Sequence, residues 1–560
     1  MTHQTFAALT TISFLCGAAV AGEPRLSADR LFDPDHIVEV SIELPEDEWD
    51  KVRLQTRSIG RYLVKNPPDS PFRYQKANIT IDGVRIEDVA IRKKGFLGSL
   101  DDNRPSLKVR FDKYVDQNPI AGLDRLTLNN NKQDISCLSQ YLGYRFFNQT
   151  GTAACRSNLA KVTVNGRYLG IYSNVESIRQ PMLERTFGDS SGALYEGTVV
   201  DFFPDFVNKF ERKNKAAKTN LIQQITDALH ADKVELEVLE QLIDIPAFIN
   251  FWATESLTGF WDGYSNNQNN FFMYQNPSNG KLYFLPWGAD ALFQEGSPIP
   301  PYRVSPRHLH HQAMLCNELY RVPKYRSLYY STLENLLKEH WNEDLLLAEV
   351  ERMEARIEPL LRSDNNEFDK GIERLKRFIK QRRALLEREM KDGPVELKTR
   401  GRRPAYFAPN GEIRIEYQTQ WYDRSPDDAE SLGDVKITVD LDGENVEFSR
   451  IGAYSEHSKW PPLPPNVPKP PTVIFKGFRK SDDKEILIAV GLPIKEFVPR
   501  KKPASVNGMM FIGPIFRPGT ETRMLSGEAT FSSAAMKKKA AVAGKLKLIT
   551  TEMRGGKPIE

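Results

Sequence analysis

Two acids and a run of amides fall within one short stretch. The segment GFWDGYSNNQNNFFMYQNPSNGKLYFLPWGADALF, residues 259–293, carries Asp262 and Asp290, and between them Asn266, Asn267, Gln268, Asn269 and Asn270. So many oxygen-bearing side chains beside aromatic strands leave two readings open. Asn favours turns, so the run can be a polar connection between strands; it can equally be a site that holds a metal and a charged substrate. Two other stretches carry weaker signals. RHLHHQ (307–312) offers His308, His310 and His311 but no acid or Cys at supporting spacing, and is expected to be a polar helix or loop. DLDGE (440–444) lacks the spacing and closing acid of a calcium loop and is read as a hairpin turn.

The elements around the acid–amide segment follow from its periodicity. ANITIDGVRIEDVAIRKKG (77–95) alternates about Asp82-Gly83, and LAKVTVNGRYLGIYSNVES turns at Asn165-Gly166; both predict β-hairpins. PSLKVRFDKY and LDRLTLNNN predict two further strands, and SCLSQYLGYRFFNQTG a helix that stops at Gly151. From 221 to 260, and again over 325–392, apolar residues recur at helical spacing. Sheet first and helices later predict an α+β, bilobal arrangement. Composition shifts near 393, and residues 396–560 are expected to form an accessory β-sandwich-like domain, with the Pro-rich WPPLPPNVPKPP (460–471) as a stiff connector inside it.

The bulk numbers set limits. With 560 residues, 40% hydrophobic and 27% charged, the chain can bury more than one core. Its 77 basic and 74 acidic residues nearly balance, which gives no support to a nucleic-acid or membrane-surface role. Phe6 to Ala21 is apolar, uncharged and ends Ala19-Val20-Ala21, a signal-peptide pattern cut near Gly22, although the preceding MTHQT has no Lys or Arg. Residues 1–21 are therefore read as a signal peptide, and export to the periplasm, cell surface or medium is expected. No later stretch reaches the ~18 consecutive apolar residues of a spanning helix. Cys137, Cys155 and Cys316 remain after cleavage; one 137–155 disulfide with a free thiol, and three buried thiols, are both open readings.

Several motifs, in order, resemble those of the CotH kinases, the spore-coat-protein-H-like secreted atypical kinases. They are LPEDEWDKV, IRKKGFLGSLDDNRPSLKVRFDKY, GLDRLTLNNNKQDIS, VTVNGRYLGIYSNVE, GALYEG, the segment quoted first, and FIKQRRALLEREM. The resemblance covers roughly residues 36–392, within an expected kinase domain of 22–395. It implies a protein-kinase-like fold with an N-terminal antiparallel sheet lobe, a helical C-terminal lobe and ATP between them. The implied activity is phosphoryl transfer to Ser or Thr of secreted or coat-like proteins. It places Asp262 on the catalytic-loop acid, with Asn267 five residues on, Asn270 on the Asn that opens the aromatic strand and Asp290 in the metal-binding turn. Lys94 falls on the Lys of the Lys-Gly pair and Glu176 on the Glu that ends the second hairpin. The chain departs from the pattern at WGAD, where Gly288 replaces the first acid of the turn, and at Phe96, where a polar residue is usual.

Phosphoryl transfer asks mainly for positioning and charge stabilisation. Asp262 is the expected acceptor of the hydroxyl proton. Asp290 with Asn267 or Asn270 would ligate Mg²⁺ or Mn²⁺. Lys94 would reach the ATP phosphates, held by Glu176, and Gly95 and Gly98 would let backbone N–H groups approach them. The alternative is a non-catalytic surface scaffold of the same fold, in which the β-domain binds a surface partner.

Overall fold

The computed structural model describes residues 26–560 apart from 58, 97, 297–307, 459–468, 493, 515–518, 557 and 560. The expected signal peptide and most of the Pro-rich connector lie outside the described residues.

The first seven strands are β1 (Val38–Glu43), β2 (Gln75–Ile81), β3 (Val84–Lys94), β4 (Ser106–Arg110), β5 (Arg125–Asn129), β6 (Ser157–Val164) and β7 (Arg167–Val175). Both hairpins form where their turn residues demand. Asp82 and Gly83 have φ of 48° and 84°, Asn165 and Gly166 49° and 74°, the two consecutive positive φ values a tight two-residue turn needs. The expected antiparallel sheet forms and closes into a barrel, in the order β1-β2-β3-β4-β5-β7-β6. A parallel pairing of β1 with β6, Val38 opposite Ala160 through Ile42 opposite Val164, joins its edges. Closure removes both unpaired edges and encloses a core that includes Val40, Ile42, Ile79, Ile91, Val109, Leu128 and Val162.

The helix Ser139–Gln149 is inserted between β5 and β6, and the barrel is succeeded by a four-stranded sheet ordered β11-β10-β8-β9. Its strands are β8 (Leu194–Gly197), β9 (Glu211–Arg212), β10 (Phe271–Gln275) and β11 (Leu282–Pro286). Helices Thr219–His230, Leu236–Leu242, Ile245–Leu257, Met314–Arg321, Pro323–Glu339, Glu343–Ile357 and Phe368–Lys391 pack around it in one apolar core. Within that core Trp252 stacks on Tyr329 at 3.9 Å between ring centroids. Among the described residues no helix is long and apolar enough to cross a membrane. Cys137, Cys155 and Cys316 are all free and buried, so the disulfide reading does not hold.

Beyond the last long helix the chain forms β12 (Arg400–Arg402) and then β13 (Tyr406–Gln420), β14 (Asp434–Leu441), β15 (Glu444–Asn445), β16 (Phe448–His457), β17 (Pro471–Arg479), β18 (Glu485–Gly491), β19 (Arg500–Ile512), β20 (Glu521–Ser533), β21 (Ala541–Arg554) and β22 (Pro558–Ile559). The expected sandwich is in fact one continuous nine-stranded antiparallel sheet, β15-β14-β13-β21-β20-β19-β18-β17-β16, curled around its own core. The long strands β13, β19 and β20 carry register shifts, between Pro409 and Gly411, Arg500 and Ala504, and Phe531 and Ser533 respectively. Such bulges bend a sheet, and the bend brings Trp421 beside Ser455 near the far edge. The DLDGE turn is the tight connection between β14 and β15, with Asp442 and Gly443 at positive φ.

Candidate functional site

The register of one hairpin assembles the acid–amide segment. β10 starts directly after Asn270 and β11 ends directly before Trp287; Phe271 pairs with Pro286. The antiparallel return therefore sets the end of the amide run against the turn that carries Asp290, and the Trp287 N–H donates to Asn270 O at 3.0 Å. Asp262 lies at the start of this run, five residues beyond the helix Ile245–Leu257, and the short helix Tyr264–Asn267 follows it.

Three amides converge on Asp262. Asn267 Nδ2 donates to Oδ1 at 2.6 Å, Asn269 Nδ2 to Oδ1 at 3.1 Å and Asn270 Nδ2 to Oδ2 at 2.8 Å. Asp262 is half-buried. Burial pushes its carboxyl up to about 6, against the pull of those three donors and of the Arg402 guanidinium. Asp290, also half-buried, is pushed up to about 7, first by burial and then by the negative charge of Asp262, while Lys94 pulls it down. Lys94 is in turn brought down to about 8 by burial, with Asp290 opposing that fall. Its Nζ donates to Asn129 Oδ1 and lies 5.7 Å from the Trp287 ring centroid. Strand alternation separates it from Lys93, whose Nζ turns the other way to Asp102 (2.7 Å) and Arg53 O (2.6 Å). A carboxylate raised by burial and by a neighbouring carboxylate, beside a lysine, is an electrostatic arrangement that a divalent cation would relieve.

The sequence-predicted residues divide on inspection. Asp262, Asp290, Lys94, Asn267 and Asn270 come together. Asn270 keeps its amide oxygen turned toward Gly288. Asn267 differs from the open ligand expected of it, because its Oδ1 already accepts from Arg402 Nη2 at 3.0 Å. Glu176 does not hold Lys94. It is buried, and Arg156 Nη2 (2.9 Å) and Arg185 Nη2 (2.7 Å) pair with its two oxygens. The charge pairs across β6 and β7, so the hairpin-ending Glu braces its own neighbourhood. Gly95 and Gly98 both take positive φ, 116° and 80°. The turn they bound closes on itself: the Phe96 N–H donates to Ser99 Oγ at 3.1 Å and the Ser99 N–H to Phe96 O at 3.2 Å.

Several residues were not assigned from the sequence. Lys108 on β4 is brought down to about 7 by burial and by the positive charges of Arg92, Lys94 and Lys213, with Glu196 opposing. Glu196 on β8 pairs with Lys213 at 2.6 Å. The Ser-x-Lys pattern of SLKV was the available signal for Lys108. Two buried acids support the loop from below. Glu255 accepts from the N–H groups of Tyr264 (3.0 Å) and Ser265 (2.7 Å), and burial pushes it to about 7. Asp201 accepts from Phe202 N, Met314 N, Tyr264 OH and Gln268 Nε2, and burial pushes it to about 6. Val199, which follows β8 by two residues, takes a φ of 45° that a β-branched residue rarely adopts. Its N–H donates to Asn269 Oδ1 and its carbonyl accepts from Lys209 Nζ.

Asp262, Asp290 and Lys94 thus lie close enough to act on one another's charge where the end of β3 approaches the β10–β11 hairpin, with Lys108 and Glu196 near them. The chain belongs to the CotH kinase protein family, whose model matches residues 91–386, more than half of its length. It is similar to Inner spore coat protein H of Bacillus subtilis, 22% identical over 289 residues that make up 47% of this chain and 78% of the relative. It is also similar to the Inner spore coat protein H-like protein of the same organism, at 22% over 281 residues, 48% of this chain and 81% of the relative. Invasin CotH2 of Rhizopus delemar is 24% identical over 193 residues, 31% of this chain and 32% of the relative.

Proposed function

We propose that this chain is an exported, bilobal protein-kinase-like enzyme that transfers the γ-phosphate of ATP to Ser or Thr of secreted or coat-like proteins. The observation that carries this reading is the convergence of Asp262, Asp290 and Lys94, with Lys108 and Lys213 beside them. Asp262 would accept the hydroxyl proton, and a carboxyl near 6 is a stronger base than an unperturbed one and still ionised at neutral pH. Asp290 and the oxygen of Asn270 have the donor chemistry for Mg²⁺ or Mn²⁺. The metal would supply charge neutralisation on the phosphates. Lys94 and Lys108 would neutralise the remaining phosphate charge in a partly desolvated setting, where such pairing is stronger than in water.

The test is transfer of labelled γ-phosphate to a Ser-rich acceptor by residues 22–560, beside Asp262→Ala and Asp290→Ala. Label that both variants lose supports the reading. No label, together with no metal-dependent ATP binding, removes it. Gly288 in the acid's place and the relatives named invasins favour the second reading, a surface scaffold of the same fold, and that negative result would leave it standing.

A further inference from the structure

Arg402 lies outside the residues matched by the family model, on a strand that begins the β-rich part of the chain, yet it ends inside the site. β12 is only three residues long and pairs with β22, Arg400 opposite Ile559 and Arg402 opposite Pro558. It lies so close to the helix Met314–Arg321 that a Cβ on Gly401 would fall 2.7 Å from Met314 Cα. On either side an arginine anchors it: Arg400 Nε to Glu318 at 2.7 Å, Arg403 Nη2 to Asp205 at 2.5 Å. The Arg402 N–H donates to Gln312 O at 2.8 Å, and its carbonyl accepts from Gln268 Nε2.

The Arg402 side chain, 7% exposed, then enters the amide run. Nη2 donates to Asn266 O at 2.9 Å, Asn267 Oδ1 at 3.0 Å and Gln268 Oε1 at 3.0 Å. Guanidinium carries donors only. The group facing it from Asn267 must therefore be the carbonyl oxygen, which leaves the Asn267 amino group facing Asp262 Oδ1 at 2.6 Å. Were that amide reversed, Asn267 would set oxygen against a carboxylate and N–H against a cation at once.

We propose that Arg402 is a positioning residue for Asp262: it fixes the orientation of the Asn267 amide, so that the β-rich part of the chain completes the site formed by the family-matched residues. The kinetic part of this inference rests on the kinase reading; the structural part does not.

The experiment is a double-mutant cycle of Arg402→Gln and Asn267→Ala in residues 22–560, with Arg402→Lys as the conservative variant and Arg414→Gln, at an exposed arginine of β13 paired with Glu412, as the control. In each protein kcat and the ATP KM are measured beside backbone hydrogen exchange over 263–270. Arg402→Gln is expected to lower kcat by roughly tenfold to a hundredfold, the scale of an ångström-level misplacement, with the KM for ATP within about twofold. Exchange over 263–270 should speed up while that of 282–286 stays as in wild type. Because Arg402 acts through Asn267, the double variant should be no worse than the poorer single one. Arg402→Lys keeps one cationic donor and should fall between, and it decides the matter alone if Arg402→Gln does not fold. Arg414→Gln should leave kcat unchanged. Additive losses, or unchanged exchange over 263–270 in the Arg402 variants, would overturn the proposal. If wild type transfers no phosphate, the kinase reading fails, and the exchange cycle still decides the role of Arg402.

Discussion

A Cβ on Gly288 would lie 2.7 Å from Asn270 Oδ1. Gly288 also sits at a φ of 56°, in the left-handed region. The residue that replaces the first acid of the turn thus makes room for the amide that holds Asp262. Gly288→Ala is expected to destabilise the protein by about 1–2 kcal/mol through backbone strain and contact. Gly288→Asp should not increase activity: pushing Asn270 aside costs Asp262 a donor. Thermal melts and metal-dependent ATP binding check both. A gain in binding by Gly288→Asp would show that the turn accepts the acid.

Asp290 gives a signed pH dependence. Its folded carboxyl is raised to about 7 from the ordinary 3.8, so the folded chain binds that proton more tightly than the unfolded chain. The associated stability is present below about pH 4 and is lost as pH rises to about 7. Asp290→Asn should therefore melt higher than wild type at pH 8 in chelator, by roughly 1 kcal/mol after allowance for solvent screening, and equally at pH 4. Added Mg²⁺ should stabilise wild type and not the variant. A variant less stable than wild type at pH 8 would contradict the repulsion between Asp262 and Asp290.

Lys108 tests the anionic-ligand reading away from the carboxylates. Loss of one charged contact is worth about 1.5–3 kcal/mol, so Lys108→Met should weaken Mg·ATP about tenfold or more. Titration calorimetry at two salt concentrations would show a smaller salt dependence in the variant. Unchanged affinity would place the phosphates elsewhere.

The three thiols should be silent in the native protein. Burial pushes Cys137 up to about 12 and holds Cys155 and Cys316 well above the ordinary thiol range. A thiol reagent should label none of them at neutral pH and all three in concentrated guanidinium. A reductant should not move the melting temperature. Any drop in melting temperature on reduction would argue for a disulfide.

What the sequence determined by itself was local. Asp82-Gly83 and Asn165-Gly166 set their hairpins because the turn conformation depends on those residues alone. Helical spacing predicted the later helices for the same reason, and Asp262, Asn267 and Asn270 fall within nine residues of one another. Lys94 and Asp290 were placed by the resemblance to the family's motifs, and the hairpin return then explains why Asp290 comes back to the end of the amide run. Tertiary structure decided the rest. A parallel β1–β6 pairing closed the barrel between segments more than 100 residues apart, and no local period encodes such a partner. Bulges in β13, β19 and β20 bend one continuous sheet where the sequence predicted two. Glu176 took Arg156 and Arg185 rather than Lys94, because ion pairs form between whichever charges packing brings within reach. Arg402 reached Asn267 from 135 positions away, and a guanidinium near a chain boundary has the same sequence signature whether it faces solvent or enters a site.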